Sequence, residues 1–328
     1  MGGIMLDPSR PVANLAAAIV GLPDGTDLSR VGLEILLTGG PPPTGSARDP
    51  LLYARIFSEA TTVARTPWMR LACRLQAVNG LRRDPAQPMA PIAEELAEIS
   101  AAINAELQPG QLQFALGADA GYQRGLVLRM TRRYAEAAAA QAESAAWFFA
   151  AEQPDKGYVG LFVSAVESAS AALCRGDRAK IRASLAHLRQ MRQVVRVTCS
   201  TYPKWMQENA AVHLWWAYLL AEMAYPERGV DEEEVTRSSA HWAATAQVAR
   251  ALRAKESDAV AKALAEADRF EGFQSSSMAN AVLTMRLLAA KALMRENQTR
   301  RAKAIFRQIA NWQGPDGGVP AAIALVYI

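Results

Sequence analysis

The chain has 328 residues, of which 51% are hydrophobic and 21% charged, and its formal net charge is +4. This composition is that of a folded globular protein, and it excludes an intrinsically disordered one. The sequence contains no uninterrupted run of about twenty apolar residues, so we expect no membrane span. The mild positive charge permits an acidic partner without requiring one.

The N-terminal part of the chain differs from the rest. Residues 27–37 predict a short helix, with Asp27 as its N-cap and Gly39 as its stop signal. The stretch at residues 39–50, rich in glycine and proline, predicts a linker because it suits neither a helix nor a central strand. We therefore expect an N-terminal helical segment over residues 1–38, followed by the linker and a larger helical domain.

Residues 51–312 show a series of helical patterns with brief interruptions, and no sustained alternation that would indicate strands. The fold class that we predict is all-α. A glycine-rich loop follows, with no helix clearly after it, and residues 313–328 form an apolar C-terminal tail. The predicted helices are Leu51–Ala64, Pro67–Leu81, Ile92–Glu106, Leu112–Met130, Tyr134–Ala151, Tyr158–Cys174, Arg178–Val197, Lys204–Met223, Glu232–Ala254, Ala259–Phe270, Met278–Met294 and Arg300–Asn311.

Turns between paired helices recur at similar intervals along this domain. They fall near Arg132, Gly176, Lys255 and Asn297, which are 44, 79 and 42 residues apart. The middle interval is nearly twice the others. A period of about 40 residues is typical of stacked helical hairpins, in which each unit buries its apolar face against its neighbours.

The residues around these turns resemble tetratricopeptide repeats, in which a small residue lies where two helices cross and a large residue fills the next groove. The resemblance implies stacked antiparallel hairpins in a right-handed superhelix with a concave face that binds a peptide or a helix. It covers Gly121–Trp312 best, although the usual turn glycine is replaced by Arg132 and Asn297. The residues that match the pattern are Gly125, Leu128, Tyr134, Ala137, Ala165, Ala169, Ala172, Ile181, Leu185, Ala290, Leu293, Ala302 and Phe306.

One predicted helix has a basic stripe. Five arginines lie within about 80° of one another on a helical wheel, roughly a quarter-turn from the apolar face. They predict a surface that binds an acidic peptide or the phosphates of a nucleic acid. The alternative is an ordinary solvated face whose arginines pair with carboxylates nearby. The stripe consists of Arg178, Arg182, Arg189, Arg192 and Arg196, and weaker basic patches occur at Arg124–Arg133 and Arg300–Arg307.

Aromatic residues concentrate in the segment that follows the stripe. Trp215 and Trp216 are adjacent, so they cannot share one helix face. We expect one of them in the core, while the other lines a groove, where an aromatic side chain anchors a partner well, or covers a flank. Core packing is the favoured interpretation for most of these aromatic residues. The partner-binding residues that we predict are therefore the five arginines with Trp215 and Trp216.

Signals for catalysis are weak. The three histidines, His187, His213 and His241, have no metal-ligand spacing, and phosphate-binding or nucleophile motifs are absent from the sequence. The acidic run from Asp231 to Glu234 fits the start of a helix, where acidic side chains are favoured. We expect no catalytic residues, no metal and no cofactor. An all-α enzyme with a site in a helix-lined pocket is the alternative.

The remaining expectations concern location and the tail. Three widely spaced cysteines, Cys73, Cys174 and Cys199, favour reduced thiols and a cytoplasmic protein. The apolar tail should either cap the last hairpin or bind another subunit, which would give self-association. The function that we predict is a non-catalytic scaffold or adaptor that binds a protein or peptide. A nucleic-acid-binding α-solenoid is the alternative that uses the same arginines.

Overall fold

The computed structural model describes residues 27–38, 50–84, 86–198, 204–223, 234–270, 276–312, 314 and 317–328. Every regular element in these residues is a helix, and none is a strand, so the predicted all-α class is confirmed. The helices are α1 (Leu28–Thr38), α2 (Pro50–Val63), α3 (Pro67–Arg83), α4 (Met89–Glu106), α5 (Gln111–Met130), α6 (Tyr134–Ala150), α7 (Pro154–Arg175), α8 (Arg178–Thr198), α9 (Lys204–Leu220), α10 (Ala240–Ala254), α11 (Ala259–Arg269), α12 (Ser276–Arg295), α13 (Thr299–Ala310) and α14 (Gly318–Leu325).

Most helix ends lie within a few residues of their predicted positions, and two predicted caps are present. The side chain of Asp27 accepts hydrogen bonds from the backbone N–H groups of Ser29 and Arg30 at the start of α1. The hydroxyl of Thr66 accepts one from Met69 N at the start of α3, where Pro67 occupies the first helical position. The predicted stop at Gly39 and the linker that follows lie outside the described residues, except for Pro50.

Two predictions about helix extent are wrong. The helix predicted over Glu232–Ala254 is interrupted, because Ser239 adopts an extended backbone and α10 begins at Ala240, after a short helical turn at 234–238. Serine competes for backbone hydrogen bonds, and the Ser238 hydroxyl bonds to Val235 O. The second error concerns the tail. No helix was expected after the glycine-rich loop, but α14 follows it.

The described residues form two compact units. The first contains the residues up to Leu128 and Glu143–Gly157, and the second contains Arg129–Ala142 and Tyr158–Ile328. In the first unit α1, α2 and α3 pack together and α4 packs on α3. Helices α2 and α3 approach each other closely at Gly80, because a Cβ atom on this residue would lie only 2.8 Å from Ala54 N.

In the second unit α12 contacts α10, α11, α13 and α14, and α8 packs on α9. Its core joins residues from most of these helices, among them Leu287 and Phe306, which are fully buried. The tail belongs to this core: α14 lies on α12 and α13, and the ring of Tyr327 stacks on that of Phe306 at 4.6 Å between centroids. In this structure the apolar tail covers the last helical hairpin of its own chain.

The four predicted hairpin turns are confirmed by an unusual backbone feature. Arg132, Gly176, Lys255 and Asn297 all have positive φ, between 55° and 68°. Glu152 and Glu222 also have positive φ, of 57° and 53°. Glu222 divides the long interval into steps of 46 and 33 residues, whereas Glu152 lies within the first interval, 20 residues after Arg132. The turn that the sequence pattern lacked is therefore present.

Four of the described helices end in the same motif, in which a left-handed residue reverses the last turn. At each, the N–H of that residue bonds to the carbonyl three residues earlier, and the next N–H bonds to the carbonyl five residues earlier. The left-handed residues are Glu152, Glu222, Lys255 and Asn297. None of them is glycine.

Residues that match the tetratricopeptide pattern are buried without exception. They include Tyr134, Ala137, Ala290, Ala302 and Phe306, of which the last three have no exposed surface. The pattern therefore marks the sides of the helices that face the core.

Candidate functional site

The basic stripe lies on α8, in the second unit. Asp177 caps the helix, since its Oδ1 atom accepts hydrogen bonds from Ala179 N and Lys180 N at 3.0 and 3.1 Å. These bonds, led by that from Lys180, lower the pKa of Asp177. The buried face of α8 is apolar apart from one residue and consists of Ile181, Leu185, Leu188, Arg192 and Val195.

Arg192 is the exception, because its side chain is buried rather than exposed. Only 6% of the residue is exposed, and its Nη2 atom donates to Glu234 Oε2 at 2.7 Å. Arg192 follows Leu185 by seven residues, which brings it back to the same side of a helix within about 20°. The predicted five-membered stripe is therefore divided: Arg192 is on the buried face, and it does not join the others at the surface.

The other four arginines, Arg178, Arg182, Arg189 and Arg196, are exposed. They extend over about 27 Å of helix at 1.5 Å per residue. Within the described part of the chain, Arg178, Arg182 and Arg196 form no ion pair. The helix itself has no acidic residue. Its exposed face is thus a positively charged strip.

Arg178 lies near the carboxylate of Glu222. Burial acts to raise the pKa of Glu222, but the hydrogen bond and charge of Lys291, together with Arg295 and Arg178, outweigh it and lower this pKa. Lys291 Nζ lies 2.6 Å from Glu222 Oε1. The positive charge of Arg178 is therefore partly compensated. We reserve the name strip for Arg182, Arg189 and Arg196, which are exposed and recur every seven residues.

Both adjacent tryptophans are in the core. Trp215 and Trp216 are 3% and 5% exposed, and both rings meet Trp242 edge to face at about 6.5 Å. Trp216 Nε1 also donates to Thr284 Oγ1 at 2.9 Å. The expectation that one of the pair lines a groove is wrong, because both rings are buried against Trp242 of α10. Neither ring is placed to contact a partner.

The two weaker basic patches are largely engaged in local contacts. In the first, Arg133 forms a bidentate pair with Glu136, and Arg129 lies 3.8 Å from the buried carboxylate of Glu167. In the second, Arg301 bonds to Gln298, and Lys303 bonds to Ile328 O. These contacts make both patches weaker candidates than the strip on α8.

The described residues contain no group of three or more His, Cys, Asp and Glu side chains that is placed to hold a metal ion. Burial and the positive charge of Arg129 lower the pKa of His213 to about 4, and burial alone lowers that of His241. The acidic run is described only at Glu234, which pairs with Arg192; residues 231–233 and the proposed cap lie outside the described residues.

The thiols of Cys73 and Cys174 are free, and burial raises the pKa of each to about 11. Both are thus held in the unreactive protonated form at neutral pH. Cys199 lies outside the described residues.

Helix α7 is long and apolar enough to cross a membrane by length and composition. However, 56% of its apolar window is buried inside the protein, and Glu167, in the middle of the helix, is 1% exposed. A buried core helix satisfies the same criteria.

No protein-family model, no curated protein and no solved structure matches the chain.

Proposed function

We propose that the chain is a non-catalytic helical-repeat adaptor that binds an acidic segment of a protein partner through Arg182, Arg189 and Arg196. The observation that carries this proposal is the positively charged strip on α8. We further propose that the helices stack as antiparallel hairpins in a right-handed superhelix like that of tetratricopeptide repeats, and that the protein acts in the cytoplasm. The free thiols of Cys73 and Cys174 support a reducing compartment.

Two observations support the repeat architecture. Five of the left-handed turns, at Arg132, Gly176, Glu222, Lys255 and Asn297, recur at intervals of 33 to 46 residues, and a further one at Glu152 lies between the first two. The small and large residues of the repeat pattern are buried, and stacked hairpins would bury residues of this kind. Repeat proteins of this build commonly bind partners along an extended surface.

Electrostatics support an acidic partner. Guanidinium groups bind carboxylates through two parallel hydrogen bonds, so arginine suits such recognition better than lysine. Two described carboxylates near α8 are engaged within the protein: Glu234 is bonded to Arg192, and Asp177 to the start of the helix. The three arginines of the strip are exposed, so an external carboxylate can reach them.

Affinity purification from the native cell, followed by mass spectrometry, tests this proposal. The variant reverses the strip with Arg182→Glu, Arg189→Glu and Arg196→Glu. Arg192 is left intact, because reversing a buried charge opposite Glu234 would unfold the protein rather than probe its surface. The control reverses three exposed basic residues of α13, Arg300, Arg301 and Arg307, and so makes the same change in net charge.

We expect the strip variant to lose its principal acidic partner and the α13 control to retain it. Retention of every partner by the strip variant would contradict the proposal. Capture of nucleic acid by the unmodified chain, weakening steeply between low and moderate salt, would instead favour the nucleic-acid-binding alternative, because bound phosphates release counterions.

A further inference from the structure

The three arginines of the strip recur at an interval of seven residues. At 1.5 Å per residue, Arg182, Arg189 and Arg196 are about 10.5 Å apart along the helix. Seven residues is the period at which two helices packed side by side bring corresponding side chains together. This spacing matches a partner that is itself a helix.

A second exposed feature of α8 lies beside these arginines. Six exposed residues follow one another at steps of four, three, four, three and four, which is the spacing of the contact line in a two-stranded coiled coil. Each arginine of the strip directly precedes one member of this line. The line consists of Ala179, Ala183, Ala186, Gln190, Gln193 and Val197.

The residues of this line are small or uncharged, which permits a second helix to approach closely. Interaxial distances of packed helices range over about 8–10 Å and depend on the side chains at the contact. Arg182, Arg189 and Arg196 occupy the flanking positions where charged residues select the partner of a coiled coil. The opposite flank has Lys180, His187 and Val194 and thus only one permanent charge.

Building on the function proposed above, we propose that the acidic segment bound by α8 is an amphipathic α-helix whose acidic residues repeat every seven residues along one flank. Its apolar side chains lie over the line of small or uncharged residues, and its carboxylates meet the three arginines. Because α8 contributes little apolar surface to such a contact, the charges decide which helix binds.

A second copy of the chain is the competing occupant. The exposed side of α6 has Glu136 and Glu143 seven residues apart, beside the exposed alanines at 135, 139, 142 and 146. Glu136, however, is already held by Arg133, whose Nε atom lies 2.8 Å from Glu136 Oε1. Helix α6 therefore offers α8 fewer available carboxylates than α8 has arginines, and a foreign helix fits better.

Three synthetic peptides of equal composition test the proposal by fluorescence anisotropy against the full chain. The first is a three-heptad helix with glutamates every seven residues beside an apolar seam. The second places the same glutamates on the face opposite the seam. All three peptides contain two prolines, which lie at the ends of the first two. In the third peptide these prolines change places with two central residues, and the other residues keep the order of the first peptide. Circular dichroism verifies that the first two are helical and the third is not.

We expect the first peptide to bind about tenfold more tightly than the second and third, which is the effect of three exposed ion pairs. All three peptides could instead bind equally well, and lose this binding when the strip is changed by Arg182→Gln, Arg189→Gln and Arg196→Gln. That result would overturn the inference that the partner is a helix, but the proposed function of binding an acidic segment would stand. No binding of the first peptide would also overturn the inference, and the cellular capture would then decide the function separately. If sedimentation velocity shows that the unmodified chain self-associates and that the same variant does not, a second copy of the chain is the occupant. The inference that a helix of another protein binds here would then be overturned.

Discussion

Arg192 Nη2 lies 2.7 Å from Glu234 Oε2, and this ion pair separates one arginine of α8 from the four that are exposed. The guanidinium side of the pair is 7% exposed and the carboxylate side 32%. Because one partner is buried, we infer that the pair stabilises the second unit, whereas the exposed arginines lie on its surface.

Replacing Arg192 by alanine should therefore destabilise the protein. Removing one member of a buried pair leaves the other without compensation, and here the partial exposure of Glu234 moderates the loss to about 2 kcal/mol. The matched control is Arg182→Ala on the exposed face, which should change the free energy of unfolding by less than about 0.5 kcal/mol. Urea denaturation measures both, and equal effects of the two variants would show that the pair is not structural.

A substitution at one of the left-handed helix ends should stabilise the protein. Lys255 is exposed and has φ of 55°, a conformation that costs an L-residue about 1 kcal/mol and glycine almost nothing. Lys255→Gly should thus raise the free energy of unfolding by about 1 kcal/mol. The neighbouring Ala254→Gly, inside the helix, should lower it by about the same amount. Destabilisation by both substitutions would contradict the assigned helix end.

The tail should contribute to stability through Tyr327. Its ring stacks on Phe306 and lies 5.6 Å from Lys291 Nζ, so Tyr327→Ala should lower the free energy of unfolding by about 1–2 kcal/mol. Val326 is adjacent but 80% exposed, and Val326→Ala serves as the control, with little change expected. Deletion of Val319–Ile328 should lower the melting temperature further. An unchanged melting temperature with loss of a bound partner would mean that the tail is a docking segment instead.

His213 gives a pH-dependent prediction. Its pKa is about 4 in the folded protein against 6.5 for an unperturbed histidine, so the folded state disfavours its protonation. The contribution to stability is complete above pH 6.5 and is lost as the pH falls from 6.5 towards 4, by up to about 3 kcal/mol. In denaturation series over this range, His213→Gln should remove this part of the pH dependence, while replacement of the exposed His187 should not. The prediction is wrong if the His213 variant retains the pH dependence of the unmodified chain, as the His187 variant is expected to do.

Most helices and four of the five hairpin turns are predictable from the sequence, because helical periodicity and helix-end residues are local signals. The turn at Glu222 is not, since a left-handed glutamate has no distinctive sequence signal and the conformation is held by hydrogen bonds to the preceding helical turn. Helix α14 was missed because eight mostly apolar residues show no period, and its contacts with α12 and α13 provide the stabilisation.

The candidate site was predicted in part. A helical wheel places the arginines on one side of α8, but the exact centre of the buried face depends on how the helix rests on α9. That centre includes Arg192, whose partner Glu234 is 42 residues away in the sequence. The line of small or uncharged residues from Ala179 to Val197 is present in the sequence as a spacing of three and four, but only the exposure of these residues shows that it faces outward.

The central claim is that Arg182, Arg189 and Arg196 bind an acidic partner. The most direct test is the affinity of the acidic three-heptad peptide for the unmodified chain and for the triple arginine-to-glutamine variant, measured by fluorescence anisotropy in one buffer. We predict a loss of at least about tenfold in affinity with an unchanged melting temperature, since all three side chains are exposed. Equal affinities of the two proteins for the peptide would contradict the claim.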